Sequence, residues 1–359
     1  MQLDLGMNAT QAGIVGSANF LGYFAGLFVI APFYAKFGPA KLISRALWTQ
    51  ALSMVLMAIA PHYLMAALFF SVTGFFGALA NIGVMTYIAQ VVPPHLKGRA
   101  TGIVVAGIGL SIILSGAVVP LVEHFSAVSW RISWGFFAVC IACIGWFSFH
   151  VLLTFIPHHS AKATSDTLSL ASIVRFGPFW RTGFLFFLFG MTAIMYMTFF
   201  VATAMNKWHV STEISGTFWA ILGLTSLFSG PIFGAISDRI GRYATLAILF
   251  GLQACAHTLL FLTLPSAWLF VSAALFGFST WAVPSTMATL SSELFGASHT
   301  ARVLGLVTLF FGVGQIVGPL CAGILTDYTG DFGTAFGFSS FFLVFASMFS
   351  WISKHKTKS

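Results

Sequence analysis

Only 7% of the 359 residues are Asp, Glu, Lys or Arg, 16 basic against 8 acidic, whereas a soluble protein carries about 25%. With 58% hydrophobic residues, 41 Phe and 10 Trp, the chain has too little polar surface to coat a compact domain in water. That shortage excludes a soluble enzyme, a nucleic-acid binder and a disordered chain. It does so despite a formal net charge of +8 and a pI near 9.5, which alone would suggest a nucleic-acid partner. Cysteine is scarce as well. Cys140, Cys143, Cys255 and Cys321 lie in apolar stretches, and the Cys140-x-x-Cys143 spacing reads as small buried fillers sooner than as a redox or metal pair. Neither an H-E-x-x-H motif, nor paired carboxylates inside an apolar run, nor a phosphate-binding P-loop occurs. No catalytic residue, no metal, no cofactor and no ATP is therefore expected.

What the chain has in abundance is long apolar runs. Crossing roughly 30 Å of hydrocarbon takes about 20 residues of helix, and Phe179 to Met205 and Trp268 to Leu290 are apolar around every face. An outer-membrane barrel would instead alternate apolar and polar residues over segments of about ten. The expected fold class is an all-α polytopic membrane protein, with the lipid bilayer as its first partner. Eleven spans are expected. Five lie near Gly13 to Ala35, Leu42 to Ala60, Leu64 to Val91, Ala100 to Val122 and Ile132 to Leu153. Six more lie near Phe179 to Met205, Ser215 to Ile236, Ala244 to Leu264, Trp268 to Leu290, Val303 to Leu325 and Phe332 to Ile352. Between the sets, Thr154 to Pro178 is polar and reads as a linker, so the expected domains are residues 1–153, a linker over 154–178, and 179–359. No cleavable signal peptide is evident, since Met1 to Gln11 is polar and lacks a basic start.

Lys and Arg gather in cytoplasmic loops, and here one set of alternate loops is strongly basic. Lys36, Lys41, Arg45, Lys97, Arg99, Lys162, Arg175, Arg181, Arg239, Arg242, Arg302, Lys354, Lys356 and Lys358 belong to it, while Arg131 and Lys207 face the other way. The C-terminus is therefore expected in the cytoplasm and the N-terminus outside, together with Asp4, Glu123, Glu213, Asp327 and Asp331. Net charge then reports topology, and no nucleic-acid surface is expected.

An internal repeat organises the spans. At a constant offset of 203 residues, Gly13 falls on Gly216, Lys36 on Arg239, Gly38 on Gly241, Arg99 on Arg302, Gly102 on Gly305 and Gly109 on Gly312. Equivalent positions share an orientation, so the halves read as parallel repeats about an axis along the membrane normal. The sixth span maps to positions before Met1. The first half is thus expected to lack the helix that opens the second, giving bundles of five and six.

After the seventh span the chain reads Gly234-Ala-Ile-Ser-Asp238-Arg239-Ile-Gly241-Arg242. This G-x-x-x-D-R-x-G-R loop resembles the signature of the major facilitator superfamily, repeated there between the eighth and ninth helices. Gly241 permits a tight turn, and Asp238 can accept hydrogen bonds at a neighbouring helix N-terminus. Breaking that contact would free the halves to rock; the alternative is that Arg239 and Arg242 only anchor topology. The matching first-half loop has Ala35 in place of the Asp, so an acid-based latch cannot operate there. Leu5-Gly6, Gln11-Ala12-Gly13, Ser17-Ala18-Asn19-Phe20-Leu21-Gly22-Tyr23 and Phe311-Gly312-Val-Gly314-Gln315-Ile-Val-Gly318-Pro319 resemble the YbfB/YjiJ-type branch of that superfamily over essentially the whole chain. In that branch a helix precedes the stretch near Leu5 to Gln11, in agreement with the repeat.

The resemblance implies a secondary transporter of a small organic solute in the bacterial cytoplasmic membrane, working by alternating access, with a monomer expected. It implies that the third, sixth and ninth spans line a central cavity, where Asn81, Thr192, Tyr196, Thr280 and Trp281 are polar, with Asn19, Tyr23 and Gln315 on flanking helices. Hydrogen bonds between helices are the alternative role for each. Small-residue pairs mark close helix contacts, namely Gly22 with Gly26, Gly230 with Gly234 and Gly314 with Gly318, which the resemblance places at the interface of the halves. Gly102, Gly107, Gly109 and Gly116 sit where a glycine-rich fifth-helix motif would lie, without its usual proline. His150 and His257 are the deep titratable groups and read as structural. Other readings are a transport-incompetent remnant, a mis-set start codon, or an intramembrane enzyme or metal protein.

Overall fold

A computed structural model describes residues 1–92, 97–123, 129–154, 170–295 and 300–356. Among these the regular structure is helical throughout: α1 (Ala9–Phe37), α2 (Pro39–Ala58), α3 (Tyr63–Val91), α4 (Lys97–Glu123), α5 (Ser129–Thr154), α6 (Leu170–Arg175), α7 (Gly177–Trp208), α8 (Thr212–Ile240), α9 (Arg242–Phe261), α10 (Trp268–Thr280), α11 (Ala282–Phe295), α12 (Thr300–Thr329) and α13 (Phe332–Lys356). The fold class is the all-α polytopic one that the composition demands. The count of eleven is not reached on length and apolarity. Among the described residues nine helical stretches are long and apolar enough to cross a membrane, α10 and α11 together making one. α2 falls short because Lys41, Arg45, Thr49 and Gln50 interrupt it, and α4 contributes a shorter apolar stretch, Gly107–Val122. The expected linker coincides in part with α6 and the start of α7, and its residues 155–169 lie outside the described ones.

The repeat is written into the element boundaries. α1 and α8 start and end 203 residues apart, as do α2 and α9, and α4 and α12, like α5 and α13, start at the same separation. Local chemistry follows the same register. Asn8 caps α1 by accepting the Gln11 N–H at 2.8 Å while Gln11 Oε1 accepts the Asn8 N–H at 3.1 Å, a capping box that satisfies two otherwise unpaired donors. Its equivalent, Ser211, caps α8 by accepting the Ile214 N–H at 3.4 Å. Gly38 and Gly241 end α1 and α8 at φ of 70° and 90°, a backbone conformation costly for residues bearing a Cβ. The tight turn expected at Gly241 is therefore present.

The chain divides into two compact units, Met1–Ile108 with Val118–Thr164, and Gly109–Ala117 with Ser165–Ser359. In the first, α1 packs on α3, and α2 packs on α3 and α5; in the second, α8 packs on α10, and α9 packs on α10 and α13. α7 packs on α12 and α13.

Glycines set these seams. A Cβ at Gly74 of α3 would strike the Asn19 carbonyl of α1, and at the equivalent Gly277 of α10 it would strike the Leu222 carbonyl of α8. Asn19 and Leu222 are themselves equivalent, so one close approach is built twice. Gly22 and Gly26 press on Ser71, Phe75 and Ala78 of α3, while Gly314 and Gly318 press on Phe187 and Met191 of α7. These two pairs therefore close contacts within a unit. Gly230 and Gly234 do not act this way, because a Cβ at either would meet no atom within 4 Å. Gly109 lies against Gly223, Ser226 and Leu227, and the surroundings of Gly102 lie outside the described residues.

The two basic residues that break the loop-charge pattern have a common occupation. Arg131 Nη1 donates to the carbonyls of Ala58 at 2.9 Å and Ala60 at 3.1 Å, at the end of α2. Lys207 Nζ donates to the carbonyls of Leu260 at 3.4 Å and Phe261 at 2.7 Å, at the end of α9, the repeat partner of α2. Each cation also lies on its neighbouring indole, Arg131 4.3 Å from the Trp130 ring centre and Lys207 5.1 Å from that of Trp208. Helix C-terminal carbonyls carry partial negative charge and lack intrahelical donors. Replacing Arg131 or Lys207 by Met keeps the stem and removes the cap, with an expected cost of about 1–2 kcal/mol each. Thermal melts in detergent check this. Since the two share no partner, the double variant should lose the sum of both.

Candidate functional site

The feature with most chemical content is a kink in the membrane-crossing helix Trp268–Phe295, where the hydrogen-bond ladder is locally interrupted although Trp281 keeps right-handed helical angles, φ −78° and ψ −12°. α10 ends at Thr280 and α11 begins at Ala282, with Trp281 between them. Pro284 explains the interruption, since a proline ring clashes with the carbonyl four residues back, here Thr280, and brings no N–H to bond it. The freed backbone donor of Ala282 is taken up by Ser229 Oγ of α8 at 2.9 Å. At the corresponding place in the first unit, α3 runs unbroken, Gly26 stands at the Ser229 position and Asn81 stands at the Pro284 position.

Hydroxyls around the kink are occupied locally. Thr280 Oγ1 donates to the Phe276 carbonyl at 2.6 Å, Ser285 Oγ to Ala282 at 2.9 Å and Thr286 Oγ1 to Ala282 at 2.8 Å. Trp281 differs. Its ring is half-buried, and its Nε1–H is shut away without an acceptor among the described residues. An unbonded buried donor costs about 1–3 kcal/mol, a cost an incoming acceptor would remove.

The other sequence-derived cavity residues divide sharply. Asn81 is exposed midway along the apolar α3, where an amide facing hydrocarbon would be unfavourable. Tyr23 is half-buried and Gln315 is 9% exposed. Thr192, Tyr196 and Asn19 are already hydrogen-bonded within the protein. Thr192 Oγ1 bonds the Leu188 carbonyl of its own helix at 2.8 Å. Tyr196 is fully buried, bonds Ser272 at 2.7 Å and stacks on Phe276 with ring centres 3.8 Å apart. Asn19 Nδ2 donates to the Phe70 carbonyl at 3.0 Å, joining α1 to α3.

The α8–α9 loop is a second cluster. Arg242 Nη1 lies 2.6 Å from Asp238 Oδ1 and 2.9 Å from Ser237 Oγ, and its Nε lies 2.8 Å from Glu293 Oε1 on α11. Asp238 thus holds a guanidinium rather than the helix N-terminus expected for it, because Arg242, the first residue of α9, reaches back over the turn. Arg239 is exposed, and Gly241 makes the turn. Glu293 escaped the sequence reading: it lies 51 residues from its partner, and no local pattern links them. Only the general rule that a cation beside apolar helices finds an acid could have raised it.

The all-α fold is that of solved membrane transporters. The crystal structure of the nucleoside transporter NupG matches with a TM-score of 0.78 at 13% identity, covering 98% of this chain and 92% of that one. The chain belongs to the family described as uncharacterised MFS-type transporter YbfB, which it matches over residues 1–350, and it is a multi-pass membrane protein. Among curated relatives it is similar to monocarboxylate transporter 12 of Xenopus laevis, 27% identical over 149 residues, 40% of this chain and 32% of the relative. The hexuronate transporter of Bacillus subtilis (strain 168) is 24% identical over 388 residues, 97% of this chain and 86% of the relative. The chain thus spans about a third of the first relative's length and most of the second's. The family and these relatives are transporters and not enzymes.

Proposed function

We propose that the protein is a secondary transporter of a small organic solute, working by alternating access, and that Trp281 contacts the solute. The kink at Trp281, with its unbonded indole N–H, carries this reading. Transporter binding sites form where crossing helices are discontinuous and backbone or side-chain groups are left free, and here an indole N–H without an acceptor sits at the interruption. An N–H donor beside an aromatic face suits an organic molecule bearing an acceptor oxygen. The hexuronate and monocarboxylate named for the two relatives both carry such oxygens. Asn81, at the Pro284 position of the first unit, is a second candidate contact.

In this reading the working halves are bundles of five and six helices, residues 1–153 and 179–359, joined by 154–178. α2 and α4 cross the membrane in this reading, although α2 carries charge and α4 is less apolar. Positive loops set the C-terminus in the cytoplasm, the membrane being the bacterial inner one and the protein a monomer. The Arg242 cluster holds the α8–α9 turn against α11 and acts in gating.

The test is transport by purified protein in liposomes, screened with organic solutes, orientation being scored by protease removal of a tag placed after Lys356. Trp281→Phe keeps the ring and loses the donor, and the expected result is about a tenfold weaker apparent affinity, the equivalent of one lost hydrogen bond of roughly 1.4 kcal/mol. Unchanged transport in that variant would remove Trp281 from the site.

A further inference from the structure

Unit 2 contains a set of polar groups that the proposed transport site does not use. Gln253 and His257 stand one turn apart on α9, and both are fully buried. Gln253 Nε2 and Oε1 and His257 Nδ1 and Nε2 all lack a hydrogen-bond partner among the described residues, as does Ser339 Oγ on α13. Ser340 Oγ donates to the Ala254 carbonyl at 3.1 Å, which brings Ser339 to the level of Gln253. Aromatic rings wall the imidazole, with centres at 5.1 Å for Tyr196, 5.7 Å for Phe336 and 6.0 Å for Phe276.

Nearby hydroxyls are already engaged. Ser272 gives its single hydrogen to the Ala256 carbonyl at 2.8 Å, so Tyr196 must donate to Ser272 across their 2.7 Å contact. Thr258 and Ser340 lie 2.7 Å apart and both reach the Ala254 carbonyl. Direct protein partners for the glutamine amide and the imidazole are therefore taken. Buried polar groups are bonded in more than about 90% of cases, and each one left alone costs about 1–3 kcal/mol. Five such atoms on three side chains would cost more than a helix bundle can carry without a ligand.

We propose that Gln253, His257 and Ser339 enclose an internal water site within unit 2. Side chains four residues apart on a helix leave from the same face, so one small ligand that both donates and accepts can serve Gln253 and His257 together. The amide offers donors and an acceptor, the neutral imidazole one of each, and the serine hydroxyl both. Water, a small ligand with two donors and two acceptors, matches that set, and buried waters commonly make about three bonds to such groups. The site links α9 to α13, and the Tyr196 and Phe336 rings close it. It is independent of the transport site at Trp281.

Radiolytic hydroxyl labelling of the purified full chain in detergent tests this, because a trapped water ionised by an X-ray pulse labels the side chains around it even where bulk water does not reach. His257, Tyr196 and Phe336 are expected to label at rates approaching that of the exposed Tyr328, while Phe218, equally buried, stays unlabelled. In a Gln253→Leu, His257→Leu double variant, labelling of Tyr196 and Phe336 should fall to the level of Phe218. Wild-type labelling at His257, Tyr196 and Phe336 no faster than at Phe218 overturns the proposal, and this measurement stands even if the variant fails to fold. Retained labelling in a folded variant overturns it equally.

Discussion

Gly74→Leu and Gly277→Leu should each abolish accumulation of folded protein. In both the Cβ itself would run into a backbone carbonyl, that of Asn19 or of Leu222, and no side-chain rotamer relieves a clash that begins at the first carbon. Overpacking a core commonly costs about 1–3 kcal/mol. Here the obstructing atom belongs to a helix backbone, and in the first case the Asn19 amide also ties that backbone to α3 itself through the Phe70 carbonyl at 3.0 Å. A cost at or beyond the top of that range, against a total stability of about 5–15 kcal/mol, leaves little folded material. Gly135→Ala and Gly305→Ala are the controls, since neither added carbon meets an atom within 4 Å; they should hold steady or gain up to about 1 kcal/mol from helix propensity. Size-exclusion profiles and melting temperatures decide. If Gly74→Ala behaves like Gly135→Ala, the seam between α1 and α3 is not set by close backbone approach.

Arg242→Ala is expected to reduce transport far more than it reduces stability. Asp238 and Glu293 are 71% and 53% exposed in their side chains, so water compensates much of the lost pairing, and the loss of stability should stay near 1 kcal/mol. Geometry suffers more. The guanidinium is 14% exposed and joins Ser237, Asp238 and Glu293 at once, so its removal uncouples the α8–α9 turn from α11, the helix that follows the kink at Trp281. Arg242→Lys should recover part of the rate, as an ammonium can serve one carboxylate but not the fork of three acceptors. Rates in liposomes beside melting temperatures separate the two effects. Equal proportional losses in both would mean that the cluster is a structural tie alone.

Much of this architecture is legible in the sequence because membrane solvation leaves so few choices. Long apolar runs must be helices, and a constant offset between glycines such as Gly38 and Gly241 carries through to helix ends and caps. Arg131 and Lys207 show the limit of that reading. Loop counting marks them as exceptions, but only coordinates reveal the carbonyls they cap, since the acceptors at Ala58 and Phe261 lie 73 and 54 residues away from them. Tyr196 and Thr192 show another limit. Their positions on a central helix suit a cavity, yet the direction each side chain takes depends on which faces α9, α10 and α12 cover, and uniformly apolar helices do not announce their faces. Pro284 is the local signal of the kink at Trp281, through its clash with the Thr280 carbonyl.

The burial of α7 bears on the order of assembly. Within its most apolar stretch 72% of residues end up buried, yet its neighbours α9, α12 and α13 follow it in the chain and are synthesised later. Thr192 can wait in lipid without difficulty, its hydroxyl bonded to its own helix at Leu188. Tyr196 cannot, because its acceptor Ser272 lies 76 residues downstream. At translation rates of about 5–20 residues per second, that phenol stands unpaired for roughly 4–15 seconds. During this interval a snorkelling position at the headgroups, or a membrane chaperone offering a polar surface, must shelter the helix that later becomes the centre of its bundle.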